Sequence, residues 1–352
     1  MQATAQNNET NEKAPRILIL RLSSIGDILL CTPLIRQFRT TYPDAQIDFI
    51  IKKEFSDLLR YNPHLNTLYE VDKKDGRRGL KELRQIIKAN DYHYILDLHN
   101  NFRTNYLHSF LSGTSKKKIK KDYLKRQLLV SFKINIYDEI ITIPQRYFQV
   151  ARELKIQDDQ QGLEMHWQAG KIDRADELIA FFKQKSYFVL ACGAGFFSKQ
   201  WPLEYFQELI QKLLSRHHES IVILGSKLEA ERFQSLVVSD RVRNLAGELT
   251  LLEAAAVIAE ARAVVSNDSG LMHMATAVKT PVLAIFGSTV EELGFFPFRS
   301  EHLVLQNVDL NCRPCSHIGK NHCPKKHFKC MRELTPDMAY NNLLKLTGNP
   351  IR

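Results

Sequence analysis

Three short segments carry residue types that could hold and react with an anionic substrate. The first, Ser23-Ser24-Ile25-Gly26-Asp27, directly follows an apolar run. Gly26 can take a positive φ or admit a ligand close to the backbone. Asp27 falls where a helix begins. A carboxylate there either caps the helix, worth about 1 kcal/mol, or faces a cleft and accepts a proton from a hydroxyl, worth about 10²–10⁴ in rate. The second segment is Cys192-Gly193-Ala194-Gly195-Phe196-Phe197-Ser198-Lys199-Gln200-Trp201-Pro202. Its glycines and lysine can wrap a phosphate, although the Walker A spacing is absent. Lys199 is then either a surface lysine beside a buried tryptophan or a compact ammonium that neutralises a departing diphosphate. In the third, Ser266-Asn267-Asp268-Ser269-Gly270-Leu271-Met272-His273, Asp268 and Ser269 precede a helix rich in Met and Ala. Free N–H groups at such a helix start form an anion site; simple capping is the plain alternative, and His273 reads as packing.

These segments need rigid elements behind them. Arg16–Leu20 reads as a buried strand, followed by the first segment and a helix over 28–40. Residues 46–51, 67–71 and 94–98 read as further strands, with helices near 55–61 and 79–88. A second series has strands at 187–191, 220–224, 263–266 and 281–286, and helices near 203–216, 227–236 and 250–260. Strands alternating with helices predict parallel sheets. Each reactive segment then lies beyond the carboxyl end of a strand, where doubly wound sheets bind ligands. The polar stretch 156–168, with Gly162, is the expected linker. It divides an N-terminal domain over 15–165 from a C-terminal domain over 166–352, which includes a cysteine-rich segment, 312–330, and a terminal helix. A length of 352 residues suits two domains.

Residues 1–14 are polar and lack an apolar core, so they read as a disordered leader rather than a signal peptide. No apolar run approaches the roughly 20 residues that span a bilayer, and a cytoplasmic location is expected. A net charge of +10 favours polyanionic partners: nucleic acid, anionic lipid headgroups or a phosphorylated glycolipid.

In their order and spacing, RILILRLSSIGDILLCTPLIRQFR, ILDLHNNFRT, GAGFFSKQWPLEYF and SNDSGLMHMATAVKTPVLAIFGST resemble the bacterial lipopolysaccharide heptosyltransferases, glycosyltransferase family 9. The likeness runs from about Pro15 to about Leu346. It implies an α/β fold of the GT-B type, with two facing Rossmann-like doubly wound domains. The acceptor would bind the N-terminal one and a nucleotide-sugar, ADP-heptose, the C-terminal one. By the resemblance Asp27 stands at the family's catalytic base and Lys199 at its phosphate-contacting lysine. Asp268, Ser269, Gly270 and Leu271 match the loop that holds the donor diphosphate and sugar. Gly193 joins the donor-binding residues if its loop wraps a phosphate. Arg21 occupies a position usually basic in the family, an anion contact. Ala194 and Gly195 stand where relatives often carry a small hydroxylated residue, and Ser269 replaces the commoner threonine; both departures leave the donor sugar open.

The expected reaction is an inverting transfer onto a lipopolysaccharide core acceptor. Asp27 takes the acceptor proton, the sugar passes through an oxocarbenium-like state, and the Ser269–Leu271 turn with Lys199 receives the charge of the leaving diphosphate. No Asp-x-Asp pair stands beside the donor loops, so no metal cofactor is expected in catalysis. The scheme requires Asp27 and Lys199 to converge across a gap between two lobes.

The basic run at 116–121, with Arg77 and Arg78, belongs to the acceptor half. It is either a solvated face or an attractor for an anionic glycolipid at the inner membrane surface, which implies peripheral contact there. On the second reading Lys117 and Lys118 are acceptor contacts. Cys312, Cys315, Cys323 and Cys330, interspersed with His317, His322 and His327, could form a structural zinc site; free or occasionally oxidised thiols are the alternative. Cys31 and Cys192 read as packing residues. The rivals are a same-fold transferase using another nucleotide-sugar for surface glycans, and a basic zinc-containing nucleic-acid-binding protein. The latter predicts salt-dependent binding without sugar transfer, and the chain lacks an aromatic-basic binding motif, so no nucleic-acid partner is expected. A dehydrogenase is disfavoured because the first segment lacks G-x-G-x-x-G.

Overall fold

The computed structural model describes residues 14–109, 111–168, 170–182 and 186–348; residues 1–13, which hold nearly all of the expected leader, lie outside the described residues. Every apolar run read as a strand forms one, with ends displaced by no more than one residue. They are β1 (Arg16–Leu20), β2 (Gln46–Lys52), β3 (Thr67–Val71) and β4 (Tyr94–Asp97) in the first half. In the second half they are β6 (Tyr187–Ala191), β7 (Ser220–Leu224), β9 (Ala263–Asn267) and β10 (Val282–Phe286). Three edge strands were not anticipated: β5 (Ser115–Lys118), β8 (Val242–Asn244) and β11 (His302–Gln306). β5 is Ser-Lys-Lys-Lys, with no apolar alternation to betray it, and lysine on an edge discourages pairing with another chain.

The strands form two parallel sheets, ordered β3-β2-β1-β4-β5 and β11-β10-β9-β6-β7-β8. Their central strands are continuous apolar runs because helices cover both faces. In each sheet the chain reverses its direction of growth beside the first strand, between β1 and β4 and between β6 and β9. Ligand crevices open at such switch points. Both sheets thus place their loops as the α/β plan requires.

The helix expected over 28–40 is two: α1 (Ile25–Leu29) and α2 (Thr32–Thr41). Pro33 in the first turn of α2 has no N–H to continue a single helix. The segment expected as a helix at 55–61 is a 3-10 turn over Lys53–Leu58. There the Ser56 hydroxyl donates to Lys53 O at 2.9 Å and competes with the backbone ladder. The helix expected over 227–236 is likewise a short helix, Ala230–Phe233, and a 3-10 turn, Gln234–Leu236. The C-terminal helix Pro336–Leu346 packs on β9–β11 and beside the Leu203–Arg216 helix.

Residues 156–168 contain no helix or strand and cross between the sheets. Arg36 Nε donates to Asp159 at 2.7 Å from the first domain, and Lys279 Nζ donates to Leu163 O at 2.7 Å from the second. One apolar cluster runs without a break from Ile17 and Ile28 to Met272 and Val264, so the two domains are packed together.

Candidate active site between the domains

Asp27 is the third residue of α1, and Ser24 is its N-cap. The Asp27 Oδ2 atom accepts from Ser24 Oγ at 2.8 Å and from Ser24 N at 3.2 Å. Its Oδ1 atom lies 2.6 Å from Arg21 Nη2. Burial alone would raise the proton affinity of the carboxyl, but the Arg21 charge and the Ser24 donors outweigh it and hold Asp27 below its ordinary value. Capping and exposure to a cleft are therefore not alternatives here: the residue does both. Arg21 Nε donates to Ser23 O at 2.8 Å and Nη1 to Leu98 O at 2.6 Å. Each of the three guanidinium nitrogens has a protein partner, so Arg21 orients Asp27, and it also lines the hollow onto which Asp27 opens.

Asp27 opens onto a hollow of about 410 Å³ whose wall includes Arg21, Lys120, Lys121, Arg126, Arg146 and His317. Lys117 and Lys118 stand one step farther from Asp27, outside that wall. They lie within β5, where Lys117 Nζ pairs with Glu153 at 2.5 Å and Lys118 Nζ donates to Asn105. They line an adjoining hollow of about 850 Å³, which shares Lys120 and Arg146 with the one beside Asp27. Of the basic run, Lys120 and Lys121, just beyond the carboxyl end of β5, reach the hollow beside Asp27.

On the other side, the loops after β6 and β9 meet at the second switch point. Asn267 ties them together: Nδ2 donates to Cys192 O at 2.7 Å, and Oδ1 accepts from Trp201 N at 3.0 Å. Trp201 is buried and donates Nε1–H to Leu334 O at 2.7 Å. Lys199 Nζ stands 2.8 Å from Asp268 Oδ2, which also accepts from Thr289 Oγ1 at 2.6 Å. Ser269 is the N-cap of the Gly270–Ala277 helix, with its hydroxyl 3.3 Å from Ser266 Oγ.

Gly193, Glu229, Ser269, Gly270 and Leu271 line a hollow of about 600 Å³. Lys199 and Asp268, engaged with each other, are not part of its wall. A Cβ on Gly193 would lie 2.3 Å from Glu229 Oε1. This glycine makes room for the Glu229 carboxylate, whose Oε2 accepts from Ser226 N at 2.9 Å and from Ser226 Oγ at 2.7 Å.

The two sides touch through a pair of glycines. Gly26 is helical rather than left-handed. A Cβ there would fall 2.4 Å from His273 Cδ2, and one on Gly270 would fall 2.7 Å from Ile25 Cβ. Without these two side chains α1 lies directly against the Gly270–Ala277 helix. His273 is buried between them, and its Nδ1 has no hydrogen-bond partner. Burial drives its pKa down to about 4; Asp268 and Asp27 pull the other way, and Lys199 reinforces the fall. Asp27, Asp268 and Lys199, far apart in sequence, thus act on one imidazole and flank one junction.

His99, just beyond β4, is held at about 4 by burial and then by Arg21, and its Nδ1 is likewise buried without a partner. Sequence reasoning passed over His99, Glu229, Arg126 and Arg146, and set His317 with the cysteine cluster rather than beside Asp27. The place of His99 after a buried strand was a usable signal; the others stand out only once the chain is folded.

The cysteines at 312, 315, 323 and 330 line one hollow with His327 and Lys133. Cys312 Sγ lies 3.9 Å from His327 Nε2. Among the described residues, however, the one group of three metal-ligand atoms within 4.8 Å of one another is His64, Glu164 and His166. The thiols are therefore gathered into one hollow but not drawn to ligation spacing in this structure, where all are free. Cys31 and Cys192 are buried packing residues. No helix among the described residues is long and apolar enough to cross a membrane.

The family model described as glycosyltransferase family 9 (heptosyltransferase) matches residues 80–326. Lipopolysaccharide heptosyltransferase 1 of Pseudomonas aeruginosa is 25% identical over 309 residues, covering 85% of this chain and 86% of its own. The structure of Escherichia coli ADP-heptose lipopolysaccharide heptosyltransferase II superposes with a TM-score of 0.71 at 20% identity, covering 94% of this chain and 98% of that one. An Escherichia coli heptosyltransferase solved with ADP-2-deoxy-2-fluoro heptose gives 0.65 at 21% identity, covering 94% and 99%. At these identities the solved structures establish a common GT-B fold.

Proposed function

Because the chain belongs to glycosyltransferase family 9 and is a glycosyltransferase, we propose that it moves a heptose from ADP-heptose onto a lipopolysaccharide core acceptor with inversion at the anomeric carbon. The observation that carries this reading is the junction of α1 with the Gly270–Ala277 helix, where a carboxylate and a donor-type loop meet between two hollows. The relatives named above act as heptosyltransferases, which supports the sugar.

The acceptor hydroxyl sits against Asp27, which is ionised at neutral pH because Arg21 and Ser24 hold it so. The hydroxyl becomes acidic as it attacks the anomeric carbon, and Asp27 then takes its proton. On the opposite face the C–O bond to the nucleotide breaks with oxocarbenium character. The diphosphate charge develops before the first N–H groups of the Gly270–Ala277 helix, a preorganised positive end. Lys199 turns from Asp268 toward the leaving phosphate, while Thr289 keeps its hold on the abandoned carboxylate. Glu229 accepts hydrogen bonds from the nucleotide's ribose hydroxyls. No step is routed through a metal.

The hollow beside Asp27 carries Lys120, Lys121, Arg126 and Arg146, a cationic wall suited to a phosphorylated acceptor. Exposed Tyr123, Leu124, Phe132 and Ile134 stand in the same basic stretch and suit peripheral contact with an anionic inner membrane surface from the cytoplasmic side. Pelleting with anionic vesicles at low salt, lost at 0.5 M salt, tests that contact.

The reaction is tested with Asp27→Asn. Turnover with ADP-heptose should fall by at least about 10² while ADP affinity stays within about threefold. Near-normal turnover removes Asp27 from the mechanism. Ala194 and Gly195 in the donor hollow favour checking a second reading, another nucleotide-sugar. A panel of ADP-heptose against UDP- and GDP-sugars separates the two.

A further inference from the structure

We propose that His64, Glu164 and His166 form a binding site for a divalent transition metal, specifically zinc(II), where the chain crosses between the two domains. His64 lies in the loop between β2 and β3, and the other two residues lie in the crossing segment. Glu164 Oε1 is 3.3 Å from His64 Nε2 and 3.5 Å from His166 Nε2. All three ligand atoms fall within 4.8 Å of one another. Metal–ligand bonds of about 2.1 Å in a tetrahedron put neighbouring ligands about 3.4 Å apart, so the two measured edges already have tetrahedral length. Two imidazoles and one carboxylate also make a donor set that zinc takes in proteins, with the fourth position left to water.

The surroundings support a ligand there. Glu164 Oε2 is fixed by Arg36 Nη1 at 2.7 Å, and Oε1, which also accepts from Asn62 Nδ2 at 3.4 Å, faces the imidazoles, as outer partners orient metal-binding carboxylates. The Arg36 charge that would oppose a cation is offset by Asp159, 2.7 Å from Arg36 Nε. His166 Nε2 is a buried nitrogen with no hydrogen-bond partner. A lone pair on that atom facing a carboxylate oxygen is repulsive unless a proton or a metal lies between them. The side chains of His64, Glu164 and His166 retain 22%, 14% and 36% exposure, so an ion can enter.

The site would be structural. Arg36, Lys279 and Arg299 tie the crossing segment to both domains, and the metal would fasten the His64 loop to the same segment. The inference is independent of which sugar the protein transfers.

The test uses the full-length protein stripped with chelator, with zinc(II) titrated against a chromophoric chelator. A parallel cobalt(II) titration reports thiolate ligation by its charge-transfer band and so separates this site from the cysteine hollow. His64→Ala and His166→Ala should each lose one equivalent of zinc relative to the parent, with any thiolate band unchanged. Zinc at a hundredfold above its dissociation constant should raise the parent's melting temperature by a few degrees, and this rise should vanish in both variants. Should His64→Ala fold poorly, His166→Asn carries the test alone, because its Nε2 has no hydrogen bond to lose. Equal zinc stoichiometry in parent and variants overturns the proposal. So does a cobalt spectrum of thiolate bands only, or a melting temperature that follows pH and ignores zinc.

Discussion

Replacing Gly26 by alanine probes the junction on which the proposed reaction depends. The new methyl would sit 2.4 Å from His273 Cδ2, whereas carbon atoms settle about 3.5–4.0 Å apart. One of the two helices must therefore retreat by about 1 Å. His273 has little room to yield, being 3% exposed and packed edge-on against Phe295. Overpacking of this kind costs about 1–3 kcal/mol, equivalent to about 5- to 150-fold in a rate constant. The backbone at Gly26 is helical, and alanine there favours α1 itself by up to about 1 kcal/mol. Net stability should consequently fall by no more than about 2 kcal/mol while kcat/KM falls within that range, since Asp27 and the Gly270 loop no longer close to the same distance. Steady-state transfer from ADP-heptose and thermal unfolding measure the two effects. Adding His273→Ala should recover part of the activity by opening space. A Gly26→Ala protein with kcat/KM within twofold of the parent would refute the claim that contact between these helices aligns the site.

Lys199→Ala leaves the buried Asp268 with only the Thr289 hydroxyl, so stability should fall by about 3 kcal/mol together with turnover. Pairing it with Asp268→Asn should restore stability but not turnover; recovery of both would mean that Lys199 serves structure alone. His273 has a folded pKa of about 4 against an ordinary 6.5. A lowered histidine pKa means that the unfolded chain binds the proton first, so stability is present above pH 6.5 and is lost as pH falls toward 4. Between pH 7 and 5 the protein should lose about 2 kcal/mol to this group, and His273→Leu should flatten that dependence in urea titrations. The partly exposed Cys312 and Cys323 should react promptly with a thiol reagent, while Cys315, raised by burial, reacts more slowly and Cys330, pushed up to about 12 by burial, slowest. Protection of all four that ends only on adding chelator would instead establish a tetrathiolate metal.

Much of the scaffold is legible in the residues because it obeys local rules. Runs such as Ile17–Leu20 and Tyr187–Ala191 are apolar throughout, which suits strands covered on both faces. The capping box of Ser24 and Asp27 depends on residues three apart. The family pattern names Asp27, Lys199 and the Asp268–Leu271 loop on the same local footing. Edge strands escaped because β5 consists of one serine and three lysines, and its neighbour β4 alone makes it a strand.

What tertiary structure decided is the partner of each reactive group. That Arg21 is oriented by Asp27, Ser23 and Leu98, that Lys199 is held by Asp268, and that Lys120 lies nearer Asp27 than Lys117 follow from which strands are neighbours. From the sequence Gly26 reads as a positive-φ turn or a place where a ligand approaches the backbone. It is a notch for His273, almost 250 residues away, and Gly270 is the matching notch for Ile25. Residue types and local spacing specify elements and candidate chemistry, because helices, strands and caps are short-range. Free charge, protonation and access depend on through-space distances and burial, and only the packed domains set those.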